Sequence, residues 1–122
     1  MSIRSNIEAI QEKIARAAEL SGRKPEDVTL VAVTKTVDAD AAREVIEAGV
    51  LELGENRVQS FLDKYDILGD KPNWHIIGHL QTNKVKYITG KVKLIHSVDS
   101  IHLAEEISKK ALALGICQDV LF

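Results

Sequence analysis

The sequence predicts an α/β protein built on a parallel sheet, and three observations support this fold class. Helical apolar stripes alternate with short apolar runs along the chain, as in successive right-handed strand–helix–strand crossovers. The run at 28–33 is almost continuously apolar and β-branched, which is typical of a strand covered on both faces. Glycines stand where the helical stripes stop. These patterns fit both a doubly wound sheet and a closed barrel.

Two helices are predicted on either side of that first strand. Apolar residues three or four positions apart predict the leading helix, and they are Ile3, Ile7, Ile10, Ile14, Ala17 and Leu20. Ser5 and Glu8 fit a capping box at its start, and Gly22 fits its end. Asp38 is placed to cap a second helix that ends near Gly49.

The same alternation continues to the end of the chain. Further strands are predicted at 50–53, 74–77 and 93–98, with a fifth beginning at residue 120. Helices are predicted at 58–65, 83–90 and 101–114. We therefore expect one partial domain over residues 1–122, with a leading helix, four strand–helix units and the start of a fifth strand. Because an eight-stranded barrel takes about 250 residues, these units would make about half of one.

The composition favours small-molecule partners. The chain has 122 residues, and its 16 Lys and Arg against 18 Asp and Glu leave a net charge of -2, which offers no electrostatic basis for binding nucleic acid or an anionic membrane. No apolar run approaches the ~20 residues of a membrane span, and no signal-peptide core follows Met1, so we expect a cytoplasmic protein. The single Cys117 is expected to be a small buried residue.

Candidate site residues follow the predicted strands, because ligands of parallel α/β folds gather at the carboxyl ends of strands. Lys35 comes directly after the first apolar run, where partial withdrawal from water would favour the neutral, nucleophilic amine. Alternatively, Lys35 simply reaches solvent at a strand end. Asn56 and Gln81 could hold ring substituents or a phosphate, or could cap helices.

Other kinds of site find little support in the sequence. His75 and His79 lack the pattern of a zinc-protease helix, and on a strand they would be too far apart to share a metal. His96 and His102 are expected to be packing or surface residues rather than a relay. Neither a P-loop nor a dinucleotide fingerprint is present. The predicted site is therefore one without a metal.

Three ordered motifs make the prediction more specific. Residues 31–36, 54–59 and 74–84 closely resemble the pyridoxal phosphate homeostasis protein family, the YggS and PROSC proteins. The resemblance implies the N-terminal half of a (β/α)8 TIM barrel like the N-terminal domain of alanine racemase. It implies that pyridoxal 5′-phosphate is held as an imine on Lys35, with Asn56, His79 and Ser97 facing the ring. It also implies a non-enzymatic role in buffering the cofactor and delivering it, with apoenzymes as its partners.

The chain departs from the family in ways that bear on these expectations. Many members have Pro where this chain has His79 and Tyr where it has Arg57. The family has a Ser- and Gly-rich phosphate loop late in its chain, beyond these residues, so we expect weakened or no stable cofactor binding by residues 1–122 alone. Two open sheet edges would favour self-association.

Two enzymatic alternatives remain open. An amino-acid racemase of the same fold would need a second acid or base on the opposite face of the cofactor, and nothing here matches the tyrosine that alanine racemases use. A phosphosugar-type barrel enzyme would need paired carboxylates or a Lys and Glu pair at strand ends. Glu55 is the only acidic candidate near Lys35.

Overall fold

The fold is seen in a computed structural model that describes residues 2–35 and 37–122. Five parallel strands form one sheet, and they are β1 (Ala32–Val33), β2 (Glu52–Glu55), β3 (Asn73–Ile76), β4 (Leu94–Ile95) and β5 (Asp119–Val120). Their spatial order is the order of the chain, so that each strand pairs with the next. A doubly wound sheet reverses its order at a switch point, whereas a barrel does not. The strand order therefore selects the barrel-type winding.

Helices alternate with these strands as the sequence predicts. They are α1 (Ile3–Leu20), α2 (Ala39–Glu47), α3 (Val58–Leu68), α4 (Val85–Ile88) and α5 (Ile101–Leu114), with 3₁₀ turns at Pro25–Asp27 and Thr82–Lys84. Each helix contacts the next one along the chain. Because right-handed crossovers between sequential strands fall on the same side of a sheet, the helices form one layer on one face. Within the described residues, none of these helices is long and apolar enough to cross a membrane.

The core lies between the sheet and this layer of helices. Phe61 of α3 is fully buried and meets Trp74 of β3 edge-on, with ring centroids 5.4 Å apart. Trp74 is itself 1% exposed, and its indole nitrogen donates a 2.8 Å hydrogen bond to the carbonyl of Gly69. The aromatic pair thus packs α3 against the centre of the sheet, while the indole N–H keeps a partner.

Local signals in the sequence predict the ends of some helices and not of others. Asp38 accepts a 2.9 Å hydrogen bond from the Ala41 amide and caps α2, as expected, and Gly115 ends α5 with a φ of 69°. The predicted capping box of Ser5 and Glu8 is wrong. Ser2 is the N-cap of α1 and exchanges hydrogen bonds with Ser5, so the helix begins at Ile3, where the apolar stripe begins, and not after Ser5.

The first strand differs most from its prediction. Only Ala32–Val33 pairs as a strand, and Val33 is 52% exposed, so the expectation of a strand covered on both faces is wrong. The physical reason is that β1 lies at the edge of the sheet, and the helices cover only one face. Cys117 is likewise exposed, not buried as expected.

Candidate functional site

Four candidate residues follow four neighbouring strands. Lys35 follows β1, Asn56 follows β2, His79 lies three residues after β3, and Ser97 lies two residues after β4. The carboxyl ends of parallel strands share one edge of the sheet. Val33 pairs with Gly54, and the Thr34 amide donates a 3.0 Å hydrogen bond to the Gly54 carbonyl. Lys35 and Asn56 therefore each lie two residues beyond a registered pair.

A close approach of two backbones fixes the position of Asn56. A Cβ atom added to Gly78 would lie 2.6 Å from the Asn56 carbonyl oxygen, so that only glycine fits there. The Ile77 amide donates a 3.0 Å hydrogen bond to the Glu55 carbonyl, which extends the pairing of β2 and β3 to this point. The segments that follow the two strands are consequently held together where a ligand would meet them.

A cavity opens beside Asn56, between the segments that begin α3 and α4. Its volume is about 720 Å³, within the range of small-molecule sites. Its polar lining includes Asn56, Arg57, Gln59, His79, Gln81 and Lys84. Tyr87 of α4 also lines the cavity and is 41% exposed. No carboxylate belongs to this lining, so the cavity suits an uncharged or anionic ligand.

Lys35 does not line that cavity. It is exposed and lines a separate shallow depression of about 230 Å³, together with Asp38 at the start of α2 and Asp63 and Lys64 of α3. The expectation that burial would shelter its amine is therefore wrong, because β1 is an edge strand. Of the four candidates, Asn56 and His79 line the larger cavity, whereas Lys35 and Ser97 do not belong to its lining.

His79 and Ser97 have contrasting surroundings. The His79 side chain is 71% exposed, and its Nδ1 lies 3.6 Å from Asp99 Oδ2, a solvated contact of small energetic weight. The Ser97 hydroxyl oxygen is buried and has no hydrogen-bond partner among the described residues. Because an unpaired buried hydroxyl is costly, Ser97 is the more distinctive of the two.

Sequence reasoning missed a buried ionic network directly behind Lys35. Lys64 Nζ donates a 2.7 Å hydrogen bond to Glu55 Oε2 and a second one to the Thr34 carbonyl. The Thr34 hydroxyl donates to the same carboxylate oxygen. Glu55 is fully buried and Lys64 is 7% exposed. The sequence does contain a sign of this network. Lys64 has the helical spacing of Phe61 and Leu68, so it lies on the buried stripe of α3, where a charged residue needs a partner.

A second missed cluster crosses β2, β3 and β4. His75 Nδ1 lies 2.8 Å from His96 Nε2, and His75 Nε2 lies 3.1 Å from Glu52 Oε1. Burial, and then the neighbouring His75, lower the pKa of His96. Burial acts to raise the pKa of Glu52, but hydrogen bonds from Lys93, Asn73 and His75 outweigh it and hold that pKa below its ordinary value.

His75 and His96 are therefore joined by a hydrogen bond, although the sequence analysis treats His96 only as a packing or surface residue. Among residues 2–35 and 37–122, no group of three His, Cys, Asp or Glu side chains is arranged to hold a metal ion.

The sequential parallel sheet, with polar side chains along its carboxyl edge, defines the class of protein as half of an α/β barrel, a fold in which ligands bind at the strand ends. Solved structures agree with this assignment. A protein described as unknown from Bifidobacterium adolescentis superposes with a TM-score of 0.90 at 37% identity, over 98% of this chain and 53% of that one. PipY of Synechococcus elongatus, solved with PLP bound, superposes with a TM-score of 0.75 at 41% identity, over 88% of this chain and 52% of PipY.

Two curated relatives carry the same name. The pyridoxal phosphate homeostasis protein of Aquifex aeolicus is 47% identical over 99% of this chain and 54% of its own length. That of Pseudomonas aeruginosa is 40% identical over 98% of this chain and 54% of its own length. No protein-family model matches. The chain is a homologue of the pyridoxal phosphate homeostasis proteins and spans about half the length of these relatives, consistent with their N-terminal half. The family resemblance and the half-barrel fold are thereby confirmed.

Proposed function

We propose that the protein binds pyridoxal 5′-phosphate (PLP) covalently through the amine of Lys35, and that it stores and releases the cofactor without turning over a substrate. One observation carries the proposal. Lys35 lies two residues beyond Val33, the last residue of β1, and Asn56 lies two residues beyond Gly54, the partner of Val33 on β2. The chain is 41% identical to PipY, whose structure contains PLP. The storage role is supported by the names of the curated relatives.

The side chains at this edge of the sheet fit the chemistry of PLP. Bound PLP supplies an aldehyde carbon that forms a bond to an amine nitrogen, with loss of water. Lys35 offers that amine, the Asn56 amide can donate to ring substituents or accept from them, and the Ser97 hydroxyl has no other partner among the described residues. Arg57 and Lys84 give the cavity positive charge suited to a phosphate.

Binding in this arrangement requires a change at Lys35. The side chain must turn from its shallow depression towards Asn56 and the larger cavity. Because Lys35 is exposed, the turn breaks no core packing, and its cost is mainly rotamer entropy, up to about 2 kcal/mol. A carbon–nitrogen bond of this kind is reversible in water, so the site can also give up its ligand. We propose PLP-dependent apoenzymes as the recipients.

Reductive trapping tests the site. The protein is incubated with PLP and reduced with borohydride, and the modified peptide is mapped by mass spectrometry. We expect the adduct on Lys35, its loss in Lys35→Ala, and its retention in the matched control Lys109→Ala on α5. An adduct that is spread over several exposed lysines, or one that survives Lys35→Ala, would contradict the proposal.

The racemase alternative makes a different prediction. A racemase would interconvert the D and L forms of amino acids in the presence of PLP, whereas a storage protein would not. We expect no turnover above that of free PLP. Interconversion that disappears in Lys35→Ala and persists in Lys109→Ala would favour the enzyme.

A further inference from the structure

Thr34, the residue before Lys35, is held by two buried charged side chains. Lys64 donates a hydrogen bond to its carbonyl oxygen, and Glu55 accepts one from its hydroxyl. Thr34 is itself 1% exposed, while Lys35 beside it is exposed. Thr34 is therefore anchored by buried side chains, whereas the side chain of the next residue, Lys35, is exposed.

Glu55 and Lys64, the buried pair, connect two elements of the fold to Thr34. Glu55 and Lys64 come from β2 and α3, and their 2.7 Å contact joins those two elements. The two hydrogen bonds with Thr34, the residue after β1, then hold the end of β1 against β2 and α3. β1 needs such a tie, because it is an edge strand of two residues that pairs only with β2 among the described strands. The second carboxylate oxygen of Glu55 is buried without a partner among the described residues, so the pair retains a polar group that an apolar packing would have avoided.

We infer that Glu55 and Lys64 are positioning residues for Lys35, acting through Thr34 to set the direction in which its side chain leaves the sheet. The inference rests on the proposed function, since it assigns the pair a role in presenting the amine that captures PLP. Capture requires the amine to meet the aldehyde at a defined distance and angle, so a looser anchor lowers the rate. The pair makes no contact with the ligand in this role.

A matched pair of variants at Thr34 isolates one contact. Thr34→Ser keeps the hydroxyl that donates to Glu55, whereas Thr34→Val keeps the shape and removes it. We expect the rate of borohydride-trapped adduct at Lys35 to fall several-fold in Thr34→Val and to stay close to wild type in Thr34→Ser. Trapping at Lys109 in the same samples reports ordinary lysine reactivity and should not change. Equal rates at Lys35 in both variants would overturn the inference.

A double variant separates positioning from stability. Single removal of Glu55 or Lys64 leaves a buried unpaired charge, and such a protein can fail to fold. Glu55→Leu combined with Lys64→Met replaces the pair by apolar side chains of similar size, which commonly preserves folding. We expect cooperative unfolding close to wild type, with adduct formation at Lys35 slowed about tenfold.

Two outcomes of this experiment are informative in different ways. A folded double variant that captures PLP at the wild-type rate would mean that the pair serves the fold alone. Absence of a Lys35 adduct in the wild-type protein would instead remove the proposed function, so the two failures can be told apart.

Discussion

At the scale of single residues, the structure contains a side-chain cluster that could not be predicted from the sequence. In the cluster of Glu52, His75 and His96, the His75 ring lies between a carboxylate and a second imidazole. Only one proton can occupy the 2.8 Å contact between the two rings, so full protonation of both histidines would break that hydrogen bond. Two members of this cluster, Glu52 and His96, have lowered pKa values.

The lowered pKa of His96 makes stability depend on pH in a defined direction. Its folded pKa lies below the ordinary value of 6.5, so the unfolded chain takes up the proton first as the pH falls. The stability that neutral His96 contributes to the folded state is fully present above pH 6.5. It is lost as the pH drops from 6.5 through the folded pKa of His96. Glu52, whose pKa is also lowered, adds a further loss below its ordinary value of 4.5.

Urea unfolding at several pH values measures this dependence. We expect the free energy of unfolding to decline below pH 6.5 in the wild type, and to decline less in His96→Gln. The exposed His102 of α5 provides the control, since His102→Gln should follow the wild type. Parallel curves for His96→Gln and the wild type would contradict the assignment.

At the scale of elements, the close approach of the segments that follow β2 and β3 depends on one glycine, Gly78. In Gly78→Ala the new methyl group would meet backbone atoms of Asn56 at 2.6–3.1 Å, and backbone cannot rotate away. We expect a loss of about 1–3 kcal/mol in the free energy of unfolding. Gly54→Ala is the comparison, because its methyl would meet only side-chain atoms at 3.2–3.4 Å and should cost less. Denaturant titration of both variants decides, and an equal cost would be evidence against the close junction.

Some features of the helices and strands could be predicted from the sequence, and others could not. The alternation, the Asp38 cap and the stop at Gly115 were predictable because each depends on local chemistry. Strand bounds were not. The predicted strand at 50–53 lies at Glu52–Glu55, because hydrogen bonds to the neighbouring strands, rather than apolar character, decide where pairing begins. The position of Lys35 at a strand end was predictable, but its exposure followed from the edge position of β1, which is a tertiary property.

At the scale of the whole described chain, residues 2–35 and 37–122, the sheet has two edge strands, β1 and β5. Val33 on β1 is 52% exposed, and Leu112 of α5 and Phe122, which follows β5, are 77% and 81% exposed. Unpaired edges and exposed apolar side chains promote association between copies. We propose that residues 1–122 self-associate in a concentration-dependent way.

Sedimentation velocity over a range of concentrations tests this expectation. Val33→Lys places a charge on the β1 edge at an exposed position, and it should weaken association with little effect on stability. Lys109→Ala is the control and should associate like the wild type. A monomer at all concentrations would refute the expectation.

The sequential strand order has a kinetic consequence. Every pairing in the sheet joins residues close together along the chain, such as Ala32 with Leu53 or Leu94 with Asp119, 21 and 25 positions apart. Closing a loop of this length costs less entropy than closing the longer loops that pairing between distant strands would need. The sheet can consequently grow one unit at a time as the polypeptide emerges from the ribosome, each new strand adding to an edge that is already in place.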